Sequence, residues 1–188
     1  MAAAIEAFME LGYARTSTLE IATRAQVSKR ELYTLFGSKQ AILAACTAYR
    51  GQRMRLPPEV PLSRTRDELA EVLTRLGSTI LIEICDPRVT GVFRLAITEA
   101  QAAPEVAQTL NSTRQAVRNA LYEVLAKAHA AGLLGGDPDQ MTGEFFALLF
   151  GDLQMSLLLR LRETPTQPEA HSRAQHATSV LLRLHPVE

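Results

Sequence analysis

Residues 16–39 read TSTLEIATRAQVSKRELYTLFGSK, and the punctuation of this stretch predicts two short helices joined by a tight turn. Thr16, Ser17 and Thr18 offer oxygens for a helix N-cap. The spacing then places Leu19 and Ile21–Ala22 on an inward face. Gln26–Val27–Ser28 breaks the pattern, and Ser28 stands ready to cap a second helix from Lys29 to about Phe36. Gly37 supplies its stop, and Ser38 caps a further helix that begins at Lys39. A helix-turn-helix needs small residues where its helices approach, and Ala22 and Ala25 meet that need. Val27 is expected to plug the turn. Leu32, Leu35 and Phe36 can anchor the second helix, while Ser28, Lys29, Arg30, Tyr33 and Thr34 face outward. That is the pattern required to present polar side chains to base edges with the other face buried.

Outward from this segment nearly every stretch keeps a helical period, and no alternation persists long enough for a sheet. Upstream, Ile5, Phe8 and Met9 fall at i, i+3 and i+4 in a helix from Met1 to Leu11, stopped by Gly12. Downstream, Pro57, Pro58 and Pro61 predict a loop, with a domain boundary a little before it. Longer helices follow: Arg66 to Cys85, Pro87 to about Ala102, Pro104 to Ala131, Pro138 to about Leu161, and Glu169 to Leu184. The predicted division is a DNA-binding head over 1–45 and a helical body over 46–188.

The chain has 188 residues, 47% of them hydrophobic and 21% charged, a globular rather than a disordered composition. Net charge is zero, so its distribution carries the information. Up to Leu56 the balance is +4, and over the remainder it is −4. A basic first third on an acidic remainder suits a DNA-reading head joined to a body with another task. Cys46 and Cys85 stand in apolar helical patterns outside any C-x-x-C pair, which predicts buried free thiols. The N-terminus lacks the charged start and apolar run of a signal peptide. The longest apolar stretch, Phe145 to Leu159, is interrupted by Gly151, Asp152, Gln154 and Ser156 and is shorter than the ~20 residues a spanning helix needs. A cytoplasmic protein is the expectation.

Phe8, Gly12–Tyr13, Thr16–Ser17–Thr18, Ile21–Ala22, Ala25, Val27–Ser28–Lys29, Leu32–Tyr33, Phe36 and Ser38–Lys39 stand in register over residues 5 to 45. In this pattern the chain resembles the TetR family of regulators. The resemblance implies an all-α dimer of about nine helices per subunit: a three-helix head, a linking fourth helix, and a body whose last two helices build the subunit interface. It also implies that Thr16 and its neighbours Ser17 and Thr18 contact phosphates, as does Lys39 at the next helix start. Lys29, Arg30, Tyr33 and Thr34 then form the groove-facing set. Arg30 could pair bidentately with guanine, and the Thr34 methyl could meet a thymine methyl. The chain departs from the family in two places. Arg30 stands where a small residue is common. Leu35 stands where a polar residue is common and would read a methyl group. The stretch from Phe93 (FRLAITEAQAAPEV) to the helix at Asp139 also looks loosely like the AefR-like subtype of this family.

The body predicts two further sites. The helix from Met141 to Leu161 is apolar nearly all round and so must be buried on two sides. With Ala174, Ala177, Leu181 and Leu184 of the last helix, it is expected to pair two subunits through about 139–161 and 169–184. That pairing would set the recognition helices roughly 34 Å apart or somewhat more. A ligand pocket is expected among Leu76, Ile80, Ile84, Phe93, Ile97, Tyr122, Phe146 and Phe150, with Glu83 and Arg94, and also Glu99, available to read a polar group. The apolar walls point to a small hydrophobic or amphipathic effector.

Enzymatic motifs are missing. His171 and His176 are five apart, a poor fit to an i, i+4 metal pair, and no H-E-x-x-H, nucleophile elbow, P-loop or dinucleotide fingerprint occurs. Catalytic residues, metal ligands and cofactors are therefore not predicted. The reading is a ligand-responsive regulator released from a palindromic operator by its effector. The alternative is a helical small-molecule-binding protein or enzyme whose head makes no functional DNA contact. Charge reversal at Lys29, Arg30 and Lys39 separates the two.

Overall fold

A computed structural model describes residues 1–53 and 63–187, with the helical backbone alone for 47–53. The loop expected at Pro57, Pro58 and Pro61 lies outside the described residues. The described residues form ten helices and no strand: α1 (Ala2–Leu11), α2 (Thr18–Arg24), α3 (Lys29–Phe36), α4 (Lys39–Arg53), α5 (Arg66–Ile84), α6 (Pro87–Thr98), α7 (Pro104–Ala130), α8 (Pro138–Phe150), α9 (Leu153–Leu158) and α10 (Gln167–Leu184). The chain divides into two compact units. The first joins Met1–Arg53 to Pro87–Gln115, and the second joins Met54–Asp86 to Ala116–Glu188.

In the first unit α1 packs against α2, α4 and α6, and α3 packs against α2 and α4. Ile5, Phe8, Tyr13, Ile21, Leu32, Ile42 and Leu43 form its core together with Leu95 and Ala96 of α6 and Ala103 and Val106 beyond it. Each large side chain buried here contributes about 1.5–3 kcal/mol. The helix starts follow from local chemistry. Ser17 accepts from the Glu20 N–H at 3.0 Å and Ser38 from the Ala41 N–H at 3.0 Å. Gly12, at φ 80, turns the chain out of α1 in a conformation that L side chains rarely adopt.

Four inward positions expected from the sequence point outward. Leu19 is 58% exposed, because it lies roughly 200° around the helix from Ile21, which faces the core. Leu35 is 72% exposed; the inward stripe of α3 runs along Leu32 and Phe36, one turn apart, and leaves Leu35 on its flank. Val27 is exposed and does not plug the turn, which is closed by main-chain bonds from Val27 to Ala22 and from Gln26 to Thr23. Met9 is exposed beside the buried Phe8.

In the second unit α10 lies along α5, and both meet α8. Gly77 permits the close approach: a Cβ there would lie 3.1 Å from the Ala174 Cβ. Ala174, Ala177 and Leu181 are fully buried with Leu69, Leu73 and Leu81 of α5. The stripe expected to pair two subunits is therefore spent inside one, and Leu184 alone of that set is exposed. The helix expected to run unbroken to Leu161 also stops early. Gly151, at φ 44, ends α8 before α9 begins. Arg173 of α10 caps that end, donating from Nε to the Leu149 carbonyl and from Nη2 to that of Phe150, both at 2.8 Å. This break accounts for ten helices where about nine were expected. The helix starting at Pro87 likewise ends at Thr98, short of Ala102. Arg66 binds the carbonyls of Leu133 at 2.8 Å, His185 at 3.2 Å and Leu182, closing the end of α10. Cys46 and Cys85 are buried free thiols, as expected, and burial raises the Cys85 pKa to about 11.

Candidate nucleic-acid interface

The site is built on α3. The Ser28 hydroxyl accepts from the Glu31 N–H at 3.1 Å, and the Glu31 carboxylate accepts from the Ser28 N–H at 2.8 Å. This capping box satisfies two free N–H groups of the first turn, and hydrogen bonding of the Ser28 hydroxyl and N–H to the carboxylate holds the Glu31 pKa below its ordinary value. Beyond the cap, Lys29, Arg30, Tyr33, Thr34 and Leu35 are all exposed. The Lys29 ammonium lies 5.9 Å from the Tyr33 ring centre. The Thr34 hydroxyl donates to the Arg30 carbonyl at 2.9 Å, which leaves its methyl group for apolar contact. The Arg30 guanidinium has no partner among the described residues.

The start of α2 divides by residue. Ser17 is exposed and Thr18 half-buried. Thr16 is buried, and its hydroxyl donates to the carbonyls of Gly12 at 2.7 Å and Ala7 at 3.1 Å. Thr16 thus braces the corner between α1 and α2 and has no proton left for a phosphate. Lys39 is half-buried at the start of α4. Its Nζ donates to the carbonyls of Tyr13 at 2.8 Å and Ala14 at 3.3 Å, which leaves one N–H for an external anion. Arg24 bonds Glu10 and Glu20, each at 2.7 Å, and ties α2 to α1. The i, i+4 spacing of Glu20 and Arg24 was its available signal.

The residues expected to wall a pocket fall in both units. Leu76, Ile80 and Phe150 are buried, and Ile84 and Phe146 are packed against the same core in the second unit. The Phe146 and Phe150 rings stack with centres 6.1 Å apart. Glu83 is half-buried and Tyr122 exposed. On α6, in the first unit, Phe93 and Arg94 are half-buried and Ile97 is 64% exposed. Glu99 is buried against the corner after α1, where its Oε1 accepts from the Ala14 N–H at 3.5 Å. Sequence reasoning also missed a polar pair: His185 Nε2 meets Glu144 Oε2 at 2.6 Å, and the two residues are 41 apart in the chain. Among the described residues no group of three or more potential ligands could hold a metal ion, and no helix is long and apolar enough to cross a membrane.

Residues 71–185 match the C-terminal domain of AefR-like transcriptional repressors, and residues 1–46 match the tetR family of bacterial regulatory proteins. Comparison with curated protein sequences found no match. Several solved structures share the fold. A TetR transcriptional regulator from Agrobacterium tumefaciens is 23% identical over 100% of this chain and 92% of its own, with a TM-score of 0.79. The flavonoid-responsive regulator FrrA is 25% identical over 98% of this chain and 93% of its own, at 0.77. A TetR family regulator from Pseudomonas syringae pv. tomato is 25% identical over 100% and 94%, at 0.71.

Proposed function

The chain belongs to the TetR family of bacterial regulatory proteins, ligand-responsive DNA-binding regulators, with an AefR-like C-terminal domain, and from that premise we propose how it reads its operator. Residues 1–45 act as the head and 46–188 as the body. The recognition helix α3 enters the major groove. Arg30 pairs with a guanine edge, Thr34 and Leu35 meet thymine methyl groups, and Lys29 and Tyr33 flank them. Ser17, Thr18, Ser28 and Lys39 hold phosphates, with Thr16 bracing the corner behind them. The observation that carries this reading is the exposed, unpartnered Arg30 on a helix whose start is fixed by the Ser28–Glu31 box.

Two subunits pair through residues 139–161 and 169–184. Because Ala174, Ala177 and Leu181 are already buried, the exposed Met155, Leu159, Leu161 and Leu184 supply the apolar contact. Pairing presents two α3 helices to a palindrome in the cytoplasm. The effector is a small apolar or amphipathic molecule taken up by the body near Glu83, Ile84, Phe146 and Phe150, and it releases the repressor. The flavonoid response of FrrA supports that class. Release requires the effector to bind the two conformations with different affinity.

The test is selection of bound duplexes from a random pool, followed by affinity against salt for the wild type, Arg30→Ala and Lys39→Ala. The expected result is a palindromic site with binding that weakens as salt rises, and a loss of about 1–3 kcal/mol in Arg30→Ala, concentrated at one base position. A pool that shows no enrichment ends the proposal.

A further inference from the structure

The corner between α1 and α2 is held by a residue far along the chain. Glu99, one residue past the end of α6, is 85 positions from Ala14, and its carboxylate accepts from the Ala14 N–H at 3.5 Å. A Cβ built on Gly12 would lie 2.9 Å from the same oxygen, so the carboxylate packs directly against the turn, whose positive φ disfavours a larger residue. Glu99 is 8% exposed. Among the described residues the Ala14 N–H is its one hydrogen-bond partner, and no cation lies within ion-pair distance of it. On its other side the corner is gripped by Lys39, which bonds the Tyr13 and Ala14 carbonyls and lies 4.4 Å from the Tyr13 ring centre. Two residues beyond Ala14, Thr16 braces the start of α2.

We infer that Glu99 is a positioning residue for DNA binding: its carboxylate fixes the Gly12–Ala14 corner, and through it the start of α2 relative to α3. The inference rests on the DNA-binding reading above.

The test compares the full-length wild type with Glu99→Gln, which keeps an oxygen acceptor, and Glu99→Ala, which removes it. Three quantities are read: amide hydrogen exchange over residues 12–18, exchange over α5 and α10, and affinity for a duplex selected by the wild type. The expected result for Glu99→Ala is exchange at the corner faster by about tenfold, affinity lower by about tenfold, and unchanged exchange in α5 and α10. Glu99→Gln should stay near the wild type in all three. Should Glu99→Ala fail to fold, Glu99→Asp withdraws the oxygen by one methylene and takes its place. Unchanged exchange at the corner, or a loss shared equally by α5 and α10, overturns the inference. A wild type that selects no duplex defeats the regulator reading by itself, whereas the exchange comparison needs no DNA and judges the Glu99 contact separately.

Discussion

The Lys39 ammonium lies 4.4 Å from the centre of the Tyr13 ring and donates to the carbonyl of the same residue at 2.8 Å. One side chain thus closes the corner of the head with two of its three N–H groups and leaves the third free. Lys39→Ala is expected to lower the melting midpoint by roughly 3 °C, the effect of about 1 kcal/mol in a chain of this size. It should also reduce the salt slope of duplex binding by about one. A lowered midpoint with an unchanged slope would confine Lys39 to the fold and remove it from the interface.

Gln26 stands in the turn before α3 at φ 56. An L side chain in that region is strained by about 1–2 kcal/mol, of which glycine returns part through its greater freedom when unfolded. Gln26→Gly is therefore expected to stabilise the protein by about 0.5–1 kcal/mol, and Gln26→Val, branched at Cβ, to destabilise it. Denaturant unfolding of both variants checks the sign. Equal midpoints would mean that the turn stores no strain.

Among the described residues, three carboxylates are held below their ordinary value of 4.5. The Ser28 hydroxyl and N–H lower Glu31, the bond to His185 lowers Glu144, and the Thr166 N–H lowers Glu169. A carboxyl whose pKa falls on folding stabilises the fold fully above its unfolded value, and that stabilisation is lost as pH drops through the folded one. The melting midpoint should therefore be flat near neutrality and fall as the pH goes below about 4.5. Glu31→Gln, Glu144→Gln and Glu169→Gln should each flatten part of that fall. An acid limb identical in all three variants would locate the dependence elsewhere.

Arg173 offers its guanidinium to the last two carbonyls of α8, where Gly151 turns the chain away. Arg173→Ala leaves those carbonyls without donors and is expected to cost about 2 kcal/mol. Arg173→Lys recovers little of this, because an ammonium cannot reproduce the fork that spans two acceptors. Calorimetry of the two variants decides; a lysine that restores the wild-type midpoint would reduce the contact to charge alone.

Local chemistry was legible in the sequence. Ser28, Lys29, Phe36, Gly37 and Ser38 bounded α3 before any contact was known, because caps and stops act on neighbours within one turn. The resemblance carried by residues 5 to 45 likewise pointed to the head, and the exposed Lys29, Arg30, Tyr33 and Thr34 stand on its outer face. Periodicity was silent on which of two apolar faces would be covered. Leu19, Val27 and Leu35 have the hydrophobicity of core residues, yet no neighbouring helix covers them.

By itself, then, the sequence determined the helical class, most helix starts and stops, and the outward chemistry of α3, because each depends on residues a few positions apart. Only the tertiary structure decided that Ala174, Ala177 and Leu181 are buried with α5, that Arg173 closes α8, that His185 meets Glu144, and that Glu99 holds Ala14. These contacts join residues from 23 to more than 80 positions apart. Their partners are chosen by how helices pack and which side chains lose water together, and neither quantity is written in a local pattern.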